Sequence, residues 1–180
     1  MEFGPFVNSI LILDLEGKRV ASKFYSDERT TNEERRAFEK TVFTMTHMKD
    51  ARTEADVTMH RDEIIVFKFI EDLHFYVTGG EEENEILLAT VLEAVLGAIY
   101  ILLKKKVNKM AALIHLDLVL LCIDEAVDGG IIVDTDAKSI ARKVTGVSLD
   151  PAAEEQTMGE ALKSARGQVM KAISGFSGLI

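Results

Sequence analysis

The sequence predicts an α+β fold: a five-stranded antiparallel sheet in the order β-β-α-β-β-β, followed by about four helices packed on it. Three observations carry this expectation. Short β-rich runs crowd the first half of the chain, and turns of a few residues separate them, which makes neighbours antiparallel because parallel strands need a crossover of about a dozen residues. One run in that half, beginning at Thr31, has helical rather than alternating spacing. From Glu81 onward the apolar runs are long or of helical period, apart from a short IIV.

Each element follows from its residues. Residues 7–25 read as a hairpin: VNSILILDL is apolar and rich in β-branched residues, EGK supplies a glycine turn, and RVASKFYS alternates. In TNEERRAFEKTVFTMTHMK, Thr31 and Glu34 have the spacing of a capping box, and Phe38, Val42 and Met45 recur at i, i+4, i+7. Arg35 and Glu39 stand one turn apart and are placed on the polar side. EADVTMH, EIIVFKFI and LHFYVTG read as three further strands divided by short turns, with Gly79 and Gly80 at the bend that leaves the sheet.

EEENEILLATVLEAVLGAIYILLKKK opens with glutamates and closes with lysines, which suits the dipole of a long helix at both ends. Residues 107–127 read as a second helix, although LDLVLLCID also has the composition of a buried strand. Two amphipathic helices are expected near 136–145 and 152–174, the latter carrying Met158, Ala161, Leu162, Ala165, Val169 and Ile173 at helical spacing. The domain expectation is one unit over 1–149, with 150–180 a helical extension ending in a loose tail.

Two stretches invite functional readings. DEAVDGGIIVDTD resembles a calcium loop at Asp124, Asp128 and Gly129, but Ala126 stands at the third position and Thr135 at the twelfth, so a ligand and the clamping carboxylate are missing. It is read instead as a helix end with Gly129 or Gly130 just beyond it, then an extended crossing, then Asp134 and Asp136 as caps for the next helix. Asp124, Glu125 and Asp128 then sit where the helix dipole disfavours anions. The second stretch is 86–103, apolar enough to suggest a membrane span. Thr90, Glu93, Gly97, Tyr100 and Lys104 form a single stripe along it, the solvent face of a globular helix. A central Glu would also cost a lone span about 2–3 kcal/mol. The apolar arc is wider than one sheet needs, so a partner chain is expected to cover part of it.

Charge and composition narrow the function classes. The 180 residues carry a net charge of −9 and are 47% hydrophobic, enough for a substantial core and a poor match for nucleic-acid phosphates. Cys122 is the one cysteine and lies in an apolar run, so no internal disulfide is possible and a buried, inert thiol is expected. The N-terminal residues have neither a basic nor an apolar targeting region, which gives a cytosolic expectation. His47 is read as a helix C-terminal residue, His60 and His74 as surface residues beside turns, and His115 as the rim of a core helix. VTGGEEENE lacks both phosphate-loop patterns, and no G-x-S-x-G elbow occurs. No enzyme activity, metal or cofactor is expected.

The order of elements resembles longin-like domains, and in particular the small chains of vesicle-coat adaptors. NSILILDLEGKRVASKFYSDE, AFEKTVFTMTH, DLHFYVTGGEEENE and LDLVLLCIDEAVDGGIIVDTD are similar to successive blocks of the zeta subunits of the COPI coatomer, and EEQTMGEALKSARGQV to their C-terminal helix. The resemblance runs from about residue 7 to 174. It implies a non-enzymatic coat subunit held directly by the coatomer gamma subunit, with beta and delta in the same adaptor-like subcomplex. It also implies recruitment to Golgi membranes through an Arf-type GTPase, for retrograde and intra-Golgi transport. The alternative within the fold is a sigma-type clathrin-adaptor chain, against which the segment from Asp150 argues. Sigma chains read dileucine signals in a groove, and the matching positions here are Leu73, Leu96, Lys106 and Val107, with Lys106 standing where sigma chains present a polar amide.

Overall fold

In the computed structural model, which describes residues 6–146, the expected order appears. Strands β1 (Val7–Asp14) and β2 (Arg19–Phe24) precede α1 (Asn32–Thr46), and β3 (Asp56–His60), β4 (Glu63–Ile70) and β5 (Leu73–Gly80) follow it. Then come α2 (Glu85–Leu102), α3 (Lys109–Ile114), α4 (Leu116–Ala126), a ribbon of β6 (Val127–Asp128) and β7 (Ile131–Ile132), and α5 (Ala137–Thr145). The five long strands make one antiparallel sheet in the order β2-β1-β5-β4-β3.

Successive side chains on a strand point to opposite faces, so a strand covered on both sides is apolar throughout. β1 is such a strand: Ile10 and Ile12 join one core layer, Leu11 and Leu13 the other. In β4, Ile64 and Val66 likewise oppose Ile65 and Phe67. α1 covers the second layer through Phe38 and Val42, while α2, α4 and α5 cover the first through residues such as Val95, Ile123 and Ile140. The sheet is therefore the middle of three layers.

The capping box is present: Thr31 Oγ1 accepts from the Glu34 N–H at 3.2 Å, and the Glu34 carboxylate accepts from the Thr31 N–H at 2.9 Å. Glu39 departs from expectation. It is buried and bonded to Arg19 of β2 at 2.6 Å, whereas Arg35 donates to the Arg29 carbonyl. Glu39 follows directly on Phe38, at the edge of the buried stripe, where β2 can supply the opposite charge.

α2 begins later than its acids suggest, because the Asn84 side chain accepts from the Ile86 and Leu87 N–H groups and sets the cap. Gly79 and Gly80 are still strand, paired with Ile64 and Glu63. Thr90, Glu93, Tyr100 and Lys104 are exposed, as the stripe predicts, and Gly97 is half-buried. A Cβ at Gly97 would lie 2.7 Å from the Ala137 Cβ, so the bare glycine lets α5 cross close to α2. α2 is long and apolar enough to cross a membrane, but Leu88, Val91, Leu92, Val95, Ala98 and Ile99 are buried in the layer it shares with the sheet, α4 and α5. The arc that looked too wide for one sheet is mostly covered within the chain.

The helix expected over 107–127 is broken at His115, whose φ of −115° and ψ of 39° separate α3 from α4. Lys109 holds the start of α3 near the sheet, its N–H on Asp72 at 2.7 Å and its Nζ on Asp14 at 2.8 Å, while α4 follows the core. LDLVLLCID is helix, not strand. The glycine pair is not a helix cap either. Gly129 and Gly130 have φ of 55° and 89°, the pair of positive values that a two-residue hairpin turn demands, and they join β6 to β7. Asp124 is held by Lys23 at 2.9 Å, which offsets its unfavourable place in the last turn of α4. Asp136 caps α5 by accepting from the Ser139 N–H at 3.0 Å. The helix expected at 152–174 and the boundary at 150 lie outside the described residues.

Candidate interaction surface

Glu63 carries the densest polar network. Its Oε2 accepts from Arg29 Nη2 at 2.6 Å, and its Oε1 from Thr78 Oγ1 at 2.7 Å and Asn8 Nδ2 at 3.3 Å. Thr78 also shares a hydrogen bond with Ser9 at 2.7 Å, and the Arg29 guanidinium lies 3.6 Å above the Phe38 ring. The network joins β1, β4 and β5 to the segment before α1. A carboxylate so fully engaged ties the strands to one register. Beside it opens a cavity of about 520 Å³, lined by Arg29, Glu34, Phe38, Thr41, His60 and Arg61 among others. The single hydroxyl in that lining, Thr41, donates to the Ala37 carbonyl at 2.9 Å.

His74, expected at the surface, is buried. Its ring stacks on Phe69 at 4.0 Å and on Phe43 at 5.4 Å, and its Nδ1 lies 3.4 Å from the Tyr76 hydroxyl, which in turn meets Thr46 Oγ1 at 2.9 Å. Burial, reinforced by the positive charges of Arg52 and His47, brings its pKa down to about 4. The imidazole is a neutral packing element at ordinary pH. Its place at the opening of a strand gave no warning, because β5 is covered on both faces and every one of its first seven residues is buried. His47 is the C-cap of α1, as expected, its Nδ1 lying 3.0 Å from the Phe43 carbonyl. His115 is exposed at the helix break. Cys122 is buried and its thiol is pushed up to about 12 by burial, so it holds no thiolate. Among the described residues, no three His, Cys, Asp or Glu side chains converge as a metal site.

Leu73, Leu96 and Val107 are at most 6% exposed and belong to the layer between the sheet and α2. Lys106 alone of the four carried-over positions is exposed. The lysines at 104–106 do not end a helix, as their charge suggested, but form a turn after it. Lys104 and Lys105 have φ of 52° and 71°, and the Lys105 N–H donates to the Tyr100 carbonyl at 2.8 Å. Holding non-glycine residues there costs about 1–2 kcal/mol each. Beyond the turn, Met110, Leu113 and Ile114 of α3 are 68%, 46% and 66% exposed, and their spacing puts them on one side of the helix.

Residues 6–150 match the family model described as the clathrin adaptor complex small chain. Coatomer subunit zeta-1 of Arabidopsis thaliana is 51% identical over 175 residues, spanning 96% of this chain and 99% of that one. The chain belongs to the coatomer zeta family, within the adaptor small chains. Coatomer subunit zeta-1 of Homo sapiens is 36% identical over 163 residues, spanning 91% and 90% of the two chains. A small-chain-like fold is also found in a homology model of the full-length AP-3 complex, at a TM-score of 0.62 and 15% identity, covering 85% of this chain and 98% of that one. The longin-like, five-stranded arrangement expected from the sequence is thus the fold of the family. The family's small chains are coat components, which accords with a buried thiol, a neutral imidazole and a carboxylate locked in hydrogen bonds.

Proposed function

We propose that this chain is a non-enzymatic structural subunit of the COPI coat that pairs directly with the coatomer gamma subunit. In this reading beta and delta share the subcomplex, and an Arf-type GTPase brings the assembly to the cytosolic face of Golgi membranes for Golgi-to-ER and intra-Golgi transport. The observation that carries the proposal is 51% identity to a coatomer zeta subunit over 96% of the chain. Identity of that extent over nearly the whole of both chains supports a shared place in the coat.

Co-expression with the gamma solenoid, followed by gel filtration with light scattering, tests the pairing. A one-to-one complex is expected. A free zeta-family monomer beside folded gamma would overturn the pairing and direct the same assay to the large chains of clathrin adaptors, the sigma-type alternative.

Within this reading the cargo surface is the corner of Leu73, Leu96, Lys106 and Val107. Because three of the four are buried, a dileucine peptide binds there only by opening that corner. Amide shifts centred on these residues in a peptide titration would support cargo reading, and an unperturbed spectrum would remove it.

A further inference from the structure

We propose that the lysine turn at 104–106 and the outer side of α3 form a direct contact for an anionic phospholipid surface. Lys104, Lys105 and Lys106 are all exposed, and among the described residues no carboxylate lies within 4.0 Å of any of them. Three adjacent cations without a carboxylate partner among the described residues are conspicuous on a chain whose net charge is −9. The backbone holds them in that turn against its own preference, since Lys104 and Lys105 both adopt positive φ where glycine would be unstrained. Lys109, the next cation along, is by contrast committed to Asp14 at 2.8 Å.

Charge complementarity names an anionic partner, and the residue types favour lipid over protein. Lysine ammonium groups are hydrated point charges, depleted from protein–protein interfaces, where arginine and aromatic residues are favoured. Here the sequence from 100 to 114 holds no arginine, and the neighbouring exposed side chains are the aliphatic Met110, Leu113 and Ile114 on α3, with Ile101 and the single aromatic Tyr100 at the end of α2. Unpaired lysines next to a protruding apolar helix side is the composition that binds at the boundary between headgroups and acyl chains. The contact is distinct from the recruitment assigned above to a GTPase and does not depend on it. Its scale is modest: three lysines give a salt-sensitive attraction, with the apolar residues adding a component that salt does not screen.

The test is flotation of the full chain with vesicles of phosphatidylcholine alone or with roughly one third phosphatidylserine, compared at low and high salt. The expected result is flotation increased about fivefold or more by phosphatidylserine at low salt, and reduced to the neutral-vesicle level by Lys104→Glu/Lys105→Glu/Lys106→Glu. Leu113→Ser/Ile114→Ser should lower it under both salt conditions. Lys104→Gly/Lys105→Gly separates function from folding: it relieves the positive-φ strain while removing two charges, so its Tm should rise as its flotation falls. Equal flotation on the two vesicles, or a triple variant that floats like the wild type, would overturn the proposal. So would a triple variant that leaves flotation unchanged but weakens capture by the gamma solenoid, which would make the surface a protein interface.

Discussion

The two faces of the sheet are covered by different chemistry. Toward α1 lies a smaller layer in which Phe38, Phe67, Phe69 and Tyr76 pack among aliphatics such as Leu11, Val42 and Ile65, with His74 stacked on the rings and Thr46 bonded to Tyr76. Toward α2, α4 and α5 lies a larger layer whose buried members are aliphatic except for Phe75 and Cys122. Dispersion and area hold the second face, and neither depends on direction or pH. The first depends also on a ring that must stay neutral and on hydroxyls that must find each other. One sheet thus carries a face sensitive to volume alone and a face sensitive to protons as well.

The largest effect is expected on the aliphatic face. Leu92 is 1% exposed in the middle of α2, and Leu92→Ala should lower stability by about 2–5 kcal/mol in denaturant titrations, equally at pH 7 and pH 5. A loss well below this range would mean that the layer can collapse around a missing side chain.

The next concerns protons. The folded pKa of His74 is lowered to about 4 from an ordinary 6.5, so between those values the unfolded chain binds a proton that the folded chain refuses. Stability contributed by neutral His74 is therefore present above pH 6.5 and lost as pH falls toward 4, by at most roughly 3 kcal/mol. Asp14 and Asp134 have lowered pKa values and act only at lower pH. For Asp134 burial is outweighed by hydrogen bonds from Lys143 and Ser139, which hold it at about 2, so its contribution is lost below the ordinary carboxylate range. His74→Phe should flatten the stability profile between pH 6.5 and 4 and leave the acid limb intact. Identical slopes in variant and wild type would erase the distinction between the two faces.

The smallest effect tests only how α1 is started. Thr31→Ala removes the acceptor for the Glu34 N–H and should cost about 1 kcal/mol, with no change in pH slope. A changed slope would tie the helix cap to the aromatic layer.

Elements whose signal is local were legible in the sequence. The capping box at Thr31 and Glu34, the turn EGK and the stripe from Thr90 to Lys104 each depend on residues close in the chain. The departures have nonlocal causes. Glu39 is buried because Arg19 comes from another element, and His74 because Phe43 and Phe69 close over it. The break at His115 goes with the anchoring of Lys109 by Asp72 and Asp14. The Gly129–Gly130 turn was legible as a place needing positive φ but not as a hairpin, since a cap and a turn ask the same of glycine. The four positions carried over by resemblance, of which Lys106 alone is exposed, gave the neighbourhood of the lysine turn without its left-handed geometry.

The hairpin at Gly129 and Gly130 does more than reverse the chain. The Val7 N–H donates to the Gly130 carbonyl at 2.8 Å, and Phe6 bridges to Ile131, so the start of β1 is fastened by residues near the end of the described chain. On a ribosome that acceptor emerges long after β1 and β2 have left the tunnel. A nascent chain stopped before residue 130 can close its hairpin and pair Val7 with Gly79 of β5, yet the Val7 N–H still lacks its Gly130 acceptor. Translation thus leaves the oldest strand waiting for one of the later turns of the described chain, and a partner that captured the chain during synthesis would meet a sheet whose first strand lacked its last hydrogen bond.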